Sequence, residues 1–382
     1  MAINELYGPQ KVVYGNGSIS KVGEICKIYG SKALVVTGRT SAKNNGTLDK
    51  VMDSLKEAGV EGFWFNDLDS DPVVESVEKG TVAGKEQGVD VIVALGGGSA
   101  IDTAKSIGVM MTNEGSIADY EFSAPPKKGI PLVAIPTTAG TGSEATKGAI
   151  ITDPKRMVKM CIASADMIPK AAILDPELTK DLPHDISAAT GMDALTHAIE
   201  TYIATVSTPM SKPISLQGIK LIAENFEKVM ANGKDMKARE GMMLGQYYGG
   251  WAISNSATAL VHAMSRPLGV YFHVPHGLAN AILLARVMEF NRSSIQEELV
   301  EMAPALGIET SEKTKEEIGD ACIEAINRIY DSTGLSKKLS EVGAEKELLP
   351  KLAHDAFVNN SNKINPRVAT EEEILNMYYE LF

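Results

Sequence analysis

Three imidazoles and one carboxylate are the side chains of this sequence best suited to chemistry. Asp193 and His197 stand four residues apart in Gly191-Met192-Asp193-Ala194-Leu195-Thr196-His197, a spacing that puts both on one helix face, one turn apart. His262 and His276 follow in Val261-His262-Ala263-Met264 and Val274-Pro275-His276-Gly277. Together they form a donor set for a divalent transition metal such as iron or zinc. The chain has 6 histidines, so three in one site is a large share, although a histidine taken singly is more often a packed or surface residue. His184, behind Pro183, reads as a loop or capping residue, and His354 as a helix-surface residue.

A second chemistry lies earlier in the chain. Gly96-Gly97-Gly98-Ser99 directly follows the apolar run Val91–Leu95. A glycine run at the carboxyl end of a strand lets backbone approach a pyrophosphate, and the following helix offers free N–H groups and a favourable dipole. Ser99 is placed to cap a helix from Ala100 to Met110 that carries Asp102 and Lys105. The spelling is not G-x-G-x-x-G, and a tight turn would also account for three glycines. A second loop, Ile135-Pro136-Thr137-Thr138-Ala139-Gly140-Thr141-Gly142-Ser143-Glu144, brings four hydroxyls to the end of another apolar run. Two such loops at one sheet edge favour a cofactor crevice.

These groups need a scaffold. Ala33–Thr37, Phe63–Phe65, Val91–Leu95, Pro131–Ile135 and Ala172–Leu174 read as strands, and Val73–Lys85 as a helix between two of them. The continuous apolar runs are those of strands buried on both faces, so alternating strand and helix signals predict a parallel, doubly wound α/β sheet. From Asp185 onward the pattern is helical: Ile186–Tyr202, Ser215–Asn232, Ala238–Ser256, Thr314–Thr333 and Glu371–Leu381. A boundary between Asp175 and Asp185 gives a dinucleotide-type α/β domain, residues 1–180, and an all-α domain, residues 181–382.

Composition narrows the field. The 382 residues are 44% hydrophobic and 23% charged, with a net charge of -12. Such an acidic globular chain repels phosphate backbones and makes nucleic acid an unsuitable partner. Cys26, Cys161 and Cys322 are odd in number, widely spaced and outside any C-x-x-C, which points to a reducing, cytoplasmic compartment. Neither a secretion signal nor a run of 18 apolar residues is visible, so no membrane partner is expected.

The segments GGGSAIDTAK, IPTTAGTGSE and GMDALTHAIE, the pair His262/His276 in VHAM…VPHG, and Asn365-Pro366-Arg367 together resemble the iron-containing (group III) alcohol dehydrogenases, in order and over nearly the whole chain. The resemblance implies a dinucleotide-binding domain followed by a helical domain, the dehydroquinate synthase-like architecture, with cofactor and metal in the cleft between them. It implies that Asp193, His197, His262 and His276 ligate Fe²⁺, with Zn²⁺ as a competitor. It also implies that Gly96, Gly97, Gly98, Ser99 and Asp102 face the pyrophosphate. Thr137, Thr138, Thr141 and Ser143 would line the path from adenosine ribose to nicotinamide, and Lys159 and Leu178 would add further cofactor contacts. The expected activity is NAD(P)-linked interconversion of a small primary alcohol or diol with its aldehyde, in a homodimer or larger homo-oligomer. Glycerol-dehydrogenase-like enzymes and dehydroquinate-synthase-like metal cyclases are the alternatives.

Two positions depart from the family pattern. Where the family often carries a second histidine, four residues after the third ligand, this chain has Arg266. His273, three residues before His276, is therefore the candidate to take over part of the proton handling, although packing in its loop is the simpler role; a further alternative pairs Arg266 with an acidic side chain, away from substrate. After the first strand, where NAD-preferring members often place an aspartate, this chain reads Thr37-Gly38-Arg39. With no carboxylate to repel a 2′-phosphate, and with Arg39 and Lys43 nearby, NADP(H) is expected to be preferred over NAD(H).

Overall fold

The computed structural model describes residues 4–68, 72–156 and 158–382. The chain forms two compact units, Tyr7–Thr179 and Lys180–Phe382, the second joined by residues 4–6.

The first unit carries strands β1 (Lys11–Tyr14), β2 (Lys32–Thr37), β3 (Glu61–Phe65), β4 (Val91–Gly96), β5 (Leu132–Pro136), β6 (Gly148–Asp153), β7 (Val158–Ala163) and β8 (Ala171–Leu174). Its helices are α1 (Val22–Tyr29), α2 (Ser41–Asn44), α3 (Thr47–Glu57), α4 (Val74–Gln87) and α5 (Gly98–Met110). Six strands form a sheet in the order β1-β8-β5-β4-β2-β3, and every pair is parallel. The apolar runs look continuous because successive side chains alternate between two covered faces. Leu34, Val36, Ile92, Ala94 and Ala134 pack on Ile101, Ala104 and Ile107 of α5. Ala33, Val35, Val91, Val93, Leu95, Val133 and Ile135 share the opposite core with Val22 and Ile25 of α1 and with Val51 and Leu55 of α3.

The winding fixes where a ligand can sit. From β2 the chain passes to β3 on one side, and from β4 to β5 on the other. The loops after β2 and β4 therefore open at the point where the winding reverses, the usual ligand position in such sheets. Strands β6 and β7, which the sequence pattern does not reveal, form an antiparallel hairpin. Buried Lys105 of α5 fastens it, donating to Thr146 Oγ1 at 2.6 Å and to the Gly148 carbonyl at 2.7 Å.

The second unit comprises α6 (His184–Ile203), α7 (Ser211–Ala231), α8 (Met236–Asn255), α9 (Leu260–Phe272), α10 (His276–Asn291), α11 (Gln296–Met302), α12 (Lys315–Asp331), α13 (Leu349–Val358), α14 (Asn360–Lys363) and α15 (Glu371–Glu380). Helix α6 packs against α7, α8 and α10 and is buried without a break from Gly191 to Ile203. Its polar residues must then be satisfied inside protein. Thr196 and Thr201 donate to carbonyls of their own helix, Met192 and His197. Asp193, His197 and Glu200 cannot do so and need partners from other elements.

Helices α9 and α10 are absent from the sequence-based reading. Pro267 lies inside α9 and His273 ends it with a left-handed backbone, φ 55°. Pro275 then precedes α10. His184 is the first residue of α6 rather than a loop residue, and its ring meets exposed Asp185. Among the described residues no helix is long and apolar enough to cross a membrane.

Candidate metal centre and cofactor loops

The four ligand-type residues come from three helices: Asp193 and His197 from α6, His262 from the first turn of α9, and His276 from the start of α10. One donor atom from each lies within 4.8 Å of all the others. Asp193 Oδ1 is 3.6 Å from His197 Nε2 and 3.7 Å from His276 Nε2. Metal–ligand bonds of about 2.1 Å in a tetrahedral arrangement would place donor atoms roughly 3.4 Å apart, so the spread suits one ion. The rings of His197 and His262 stack with centroids 4.7 Å apart, and His276 meets His262 edge-on at 5.1 Å.

A buried amide marks the hub. Asn280 Nδ2 donates to Asp193 Oδ1 at 2.7 Å and lies 3.3 Å from both His262 Nε2 and His276 Nε2. Its two N–H bonds face three acceptors, while its own Oδ1 is buried with no partner. An excess of inward-facing lone pairs is what a cation site looks like before the ion is counted. Three imidazoles and a carboxylate therefore fit a divalent transition metal, and thiolates play no part.

Two features beyond the ligands hold this arrangement. Glu200, 1% exposed, sits one turn beyond His197. It accepts the Val261 N–H at 2.6 Å and faces His262 Nδ1 at 2.5 Å. One carboxylate thus caps α9 and grips a ligand ring, leaving His262 Nε2 to face the cluster. Burial pushes the Glu200 carboxyl up to about 7, against the pull of the Ala259 and Val261 amides. Burial, then the neighbouring His197 and Arg266, hold His262 well below the usual imidazole range. His276 is lowered as well, first by the surrounding protein, although its side chain keeps 42% of its surface accessible. Both shifts favour the neutral imidazole, the form that can ligate a metal. The sequence reading missed Glu200. The only trace it leaves is an acidic residue seven positions after Asp193, on the face that carries the ligands.

Gly277 is the second feature. A Cβ there would lie 2.2 Å from the Ala189 carbonyl, so glycine lets the start of α10 abut α6 and bring His276 in. The Asn365-Pro366-Arg367 segment supports the other side. Asn365 Oδ1 accepts the Leu260 N–H at 3.4 Å at the start of α9, and Asn365 exchanges amide hydrogen bonds with Asn291 at the end of α10.

In the sheet unit, the two suspected loops meet. A Cβ on Gly98 would lie 2.7 Å from Thr141 Cγ2, and one on Gly97 3.4 Å from Thr138 Oγ1. The Thr137 N–H reaches the Gly96 carbonyl at 3.0 Å. Ser99 does not cap its helix. Helix α5 begins at Gly98 with Gly97 before it, and no side chain caps it, because the glycine run itself takes up the first turn. The uncapped N–H groups are the kind an anion takes. Asp102 is buried one turn in, where Oδ2 accepts the Ile150 N–H at 2.9 Å and Ser143 adds a side-chain bond. Lys159 lies on β7, and Leu178 packs beneath the sheet. Gly38 is open at its Cβ position and its N–H is 4.0 Å from where a Gly96 Cβ would be, so the loops after β2 and β4 adjoin.

Comparison with known proteins settles the family. Residues 9–176 match the family model for iron-containing alcohol dehydrogenases. Residues 187–382 match that for the C-terminal part of the Fe-containing alcohol dehydrogenase family. The chain belongs to the iron-containing alcohol dehydrogenase family. It is similar to the NAD-dependent methanol dehydrogenase of Bacillus methanolicus, 37% identical over 367 residues covering 96% of each chain. It is also similar to the 1,3-propanediol dehydrogenase of Citrobacter freundii, 36% identical over 379 residues covering 98% of this chain and 97% of that one. A crystal structure of 1,3-propanediol oxidoreductase superposes with a TM-score of 0.97 at 34% identity over 100% of both chains. The α/β-plus-helical architecture is that of the family, and the activity is that of a metal-dependent, nicotinamide-linked alcohol dehydrogenase.

Within this iron-type dehydrogenase the two departures have definite places. Arg266 lies on α9 one turn beyond His262, half-buried. His273 is exposed at the C-terminal end of α9 and stands outside the four-residue cluster. Arg39 Nε donates to the Leu68 carbonyl at 2.9 Å, and Lys43 pairs with Asp49 at 2.7 Å.

Proposed function

We propose that this dehydrogenase interconverts short primary alcohols or diols with their aldehydes, using Fe²⁺ held by Asp193, His197, His262 and His276. The convergence of those four donors within 4.8 Å carries the reading. When bound, such an ion supplies a Lewis acid that lowers the pKa of an alcohol and polarises an aldehyde carbonyl, and the nicotinamide supplies or accepts the hydride.

The residues of the chain prepare that chemistry. Glu200 keeps the proton of His262 on Nδ1, so Nε2 is a lone pair. Asn280 holds the Asp193 carboxylate by one oxygen. Gly96, Gly97, Gly98 and the uncapped start of α5 receive the pyrophosphate. Thr137, Thr138, Thr141 and Ser143 line the neighbouring path, with Asp102 orienting Ser143 and Lys159 and Leu178 alongside. NADP(H) belongs to the same proposal. Gly38 leaves the end of β2 without a carboxylate, and Arg39 and Lys43 would exchange their present partners for a 2′-phosphate.

A reducing, cytoplasmic setting agrees with cysteines at positions 26, 161 and 322 that form no disulfide among the described residues. A homodimer or larger assembly agrees with the open edge of β1, where Val12 and Tyr14 are exposed. The deciding experiment loads the purified protein with iron or zinc and follows NADPH and NADH oxidation across a panel of short aldehydes. Metal-dependent turnover supports the reading, and its absence with every aldehyde removes it.

A further inference from the structure

We propose that Arg266 binds an anionic end of the substrate, so that the preferred aldehyde or alcohol carries a carboxylate or sulfonate a few carbons from its reacting carbon. The proposal rests on the dehydrogenase reading above and narrows its substrate class.

Arg266 follows His262 by four residues on α9. It therefore shares the face of a ligand candidate and sits about 6 Å further along the helix axis. It is half-buried. Yet among the described residues no carboxylate, carbonyl or aromatic ring pairs with it. Every other arginine of the described chain has a partner: Arg156 pairs with Asp153 and Glu121, Arg292 with Asp320, and Arg367 with Glu373. In a chain with 49 acidic residues against 37 basic ones, counter-ions are in surplus. The open possibility of an internal acidic partner is thus answered, and the partner of this guanidinium comes from outside.

Chemistry names that partner. A half-shielded guanidinium gains most from a planar or trigonal oxyanion, which it can bind through two N–H groups at once. A neutral alkyl chain offers it nothing and strips water from it. A quaternary ammonium group would be repelled. With a rise of about 6 Å along α9 from His262 to Arg266, a chain of about three or four carbons bridges Arg266 and the candidate cluster.

The test compares succinic semialdehyde, butanal and betaine aldehyde with the metal-loaded enzyme, in the wild type and in Arg266→Gln and Arg266→Lys. In the wild type, kcat/KM for succinic semialdehyde should exceed that for butanal by about 10- to 100-fold, the range of a charge-assisted hydrogen bond, with betaine aldehyde last. Arg266→Gln should bring the anion-to-neutral ratio to about one, mainly through KM, and Arg266→Lys should keep part of it. Succinate should compete with butanal in the wild type and lose that effect in Arg266→Gln. Equal efficiency for succinic semialdehyde and butanal in the wild type overturns the proposal. So does an Arg266→Gln variant that slows both in proportion, since a structural role would do that. Failure of the metal-loaded wild type to reduce any of the three removes the parent reading, and this proposal with it.

Discussion

Replacing Glu200 by glutamine tests whether the cluster is a metal site held by a carboxylate–histidine contact. The carboxylate accepts the Val261 N–H at 2.6 Å and faces the His262 ring nitrogen at 2.5 Å, besides the Ala259 amide. Glutamine has one carbonyl oxygen, so it can serve one of these donors and must turn an NH₂ toward the other. If it keeps Val261, the His262 tautomer that places a proton on Nε2 becomes favoured, and the ligand lone pair is lost. A buried charge-assisted hydrogen bond is worth about 1.5–3 kcal/mol, which is about 10- to 100-fold in an equilibrium constant. That matches the usual cost of losing a group that orients a metal ligand. Competition with a chromophoric chelator, using Zn²⁺ and then Fe²⁺ under anaerobic conditions, reads the affinity directly. Thermal unfolding of the metal-free protein reads the cap separately. The reasoning is refuted if Glu200→Gln binds metal within about twofold of the wild type while its metal-free stability drops, for then Glu200 is only a helix cap.

Four further outcomes are expected. Gly277→Ala forces a methyl against the Ala189 carbonyl and should cost about 1–3 kcal/mol, together with metal affinity, measured by denaturant unfolding and the same chelator competition. Gly98→Ala should raise the cofactor KM several-fold, and its effect should be non-additive with Thr141→Ala because the two side chains contend for one space. Burial alone would raise the Asp90 carboxyl, but the Ser31 and Lys32 amides outweigh it and hold it below the usual range. Its contribution is therefore present above about pH 4 and lost as the pH falls further. Asp90→Ala should remove about 1–2 kcal/mol at pH 7 and flatten that acid limb in urea titrations. Stripping the metal should lower the melting temperature, since an ion at a thousandfold excess over its Kd contributes about 4 kcal/mol; an unchanged midpoint would argue against a folded-state metal site.

The four-residue cluster was legible in the sequence because two of its members fall at helical spacing and because histidine is scarce. The sheet was legible because strands covered on both faces lack the polar alternation of half-exposed ones. Helix α9 was not, since Pro267 is a residue that ordinarily ends a helix. Here it sits far enough along that a first turn carrying His262 is already complete. The hairpin β6–β7 escaped notice because its two strands are half-exposed and their apolar runs are short, Ala149–Ile151 and Met160–Ala163. Ser99 misled because a hydroxyl after glycines looks like a cap, whereas the backbone had begun its helix one residue earlier. Glu200 and Asn280 act only through contacts with other helices, and no local pattern can report those.

Asn365 carries a consequence for how the protein is made. It braces the start of α9 and grips Asn291 at the end of α10, yet it is translated long after His276, the last of the four candidate ligands. On the ribosome, the complete candidate set leaves the exit tunnel well before the strut that steadies two of its helices. If the four residues hold the proposed ion, a chain stopped before Asn365 would present them without the hydrogen bonds that tie α9 and α10 together.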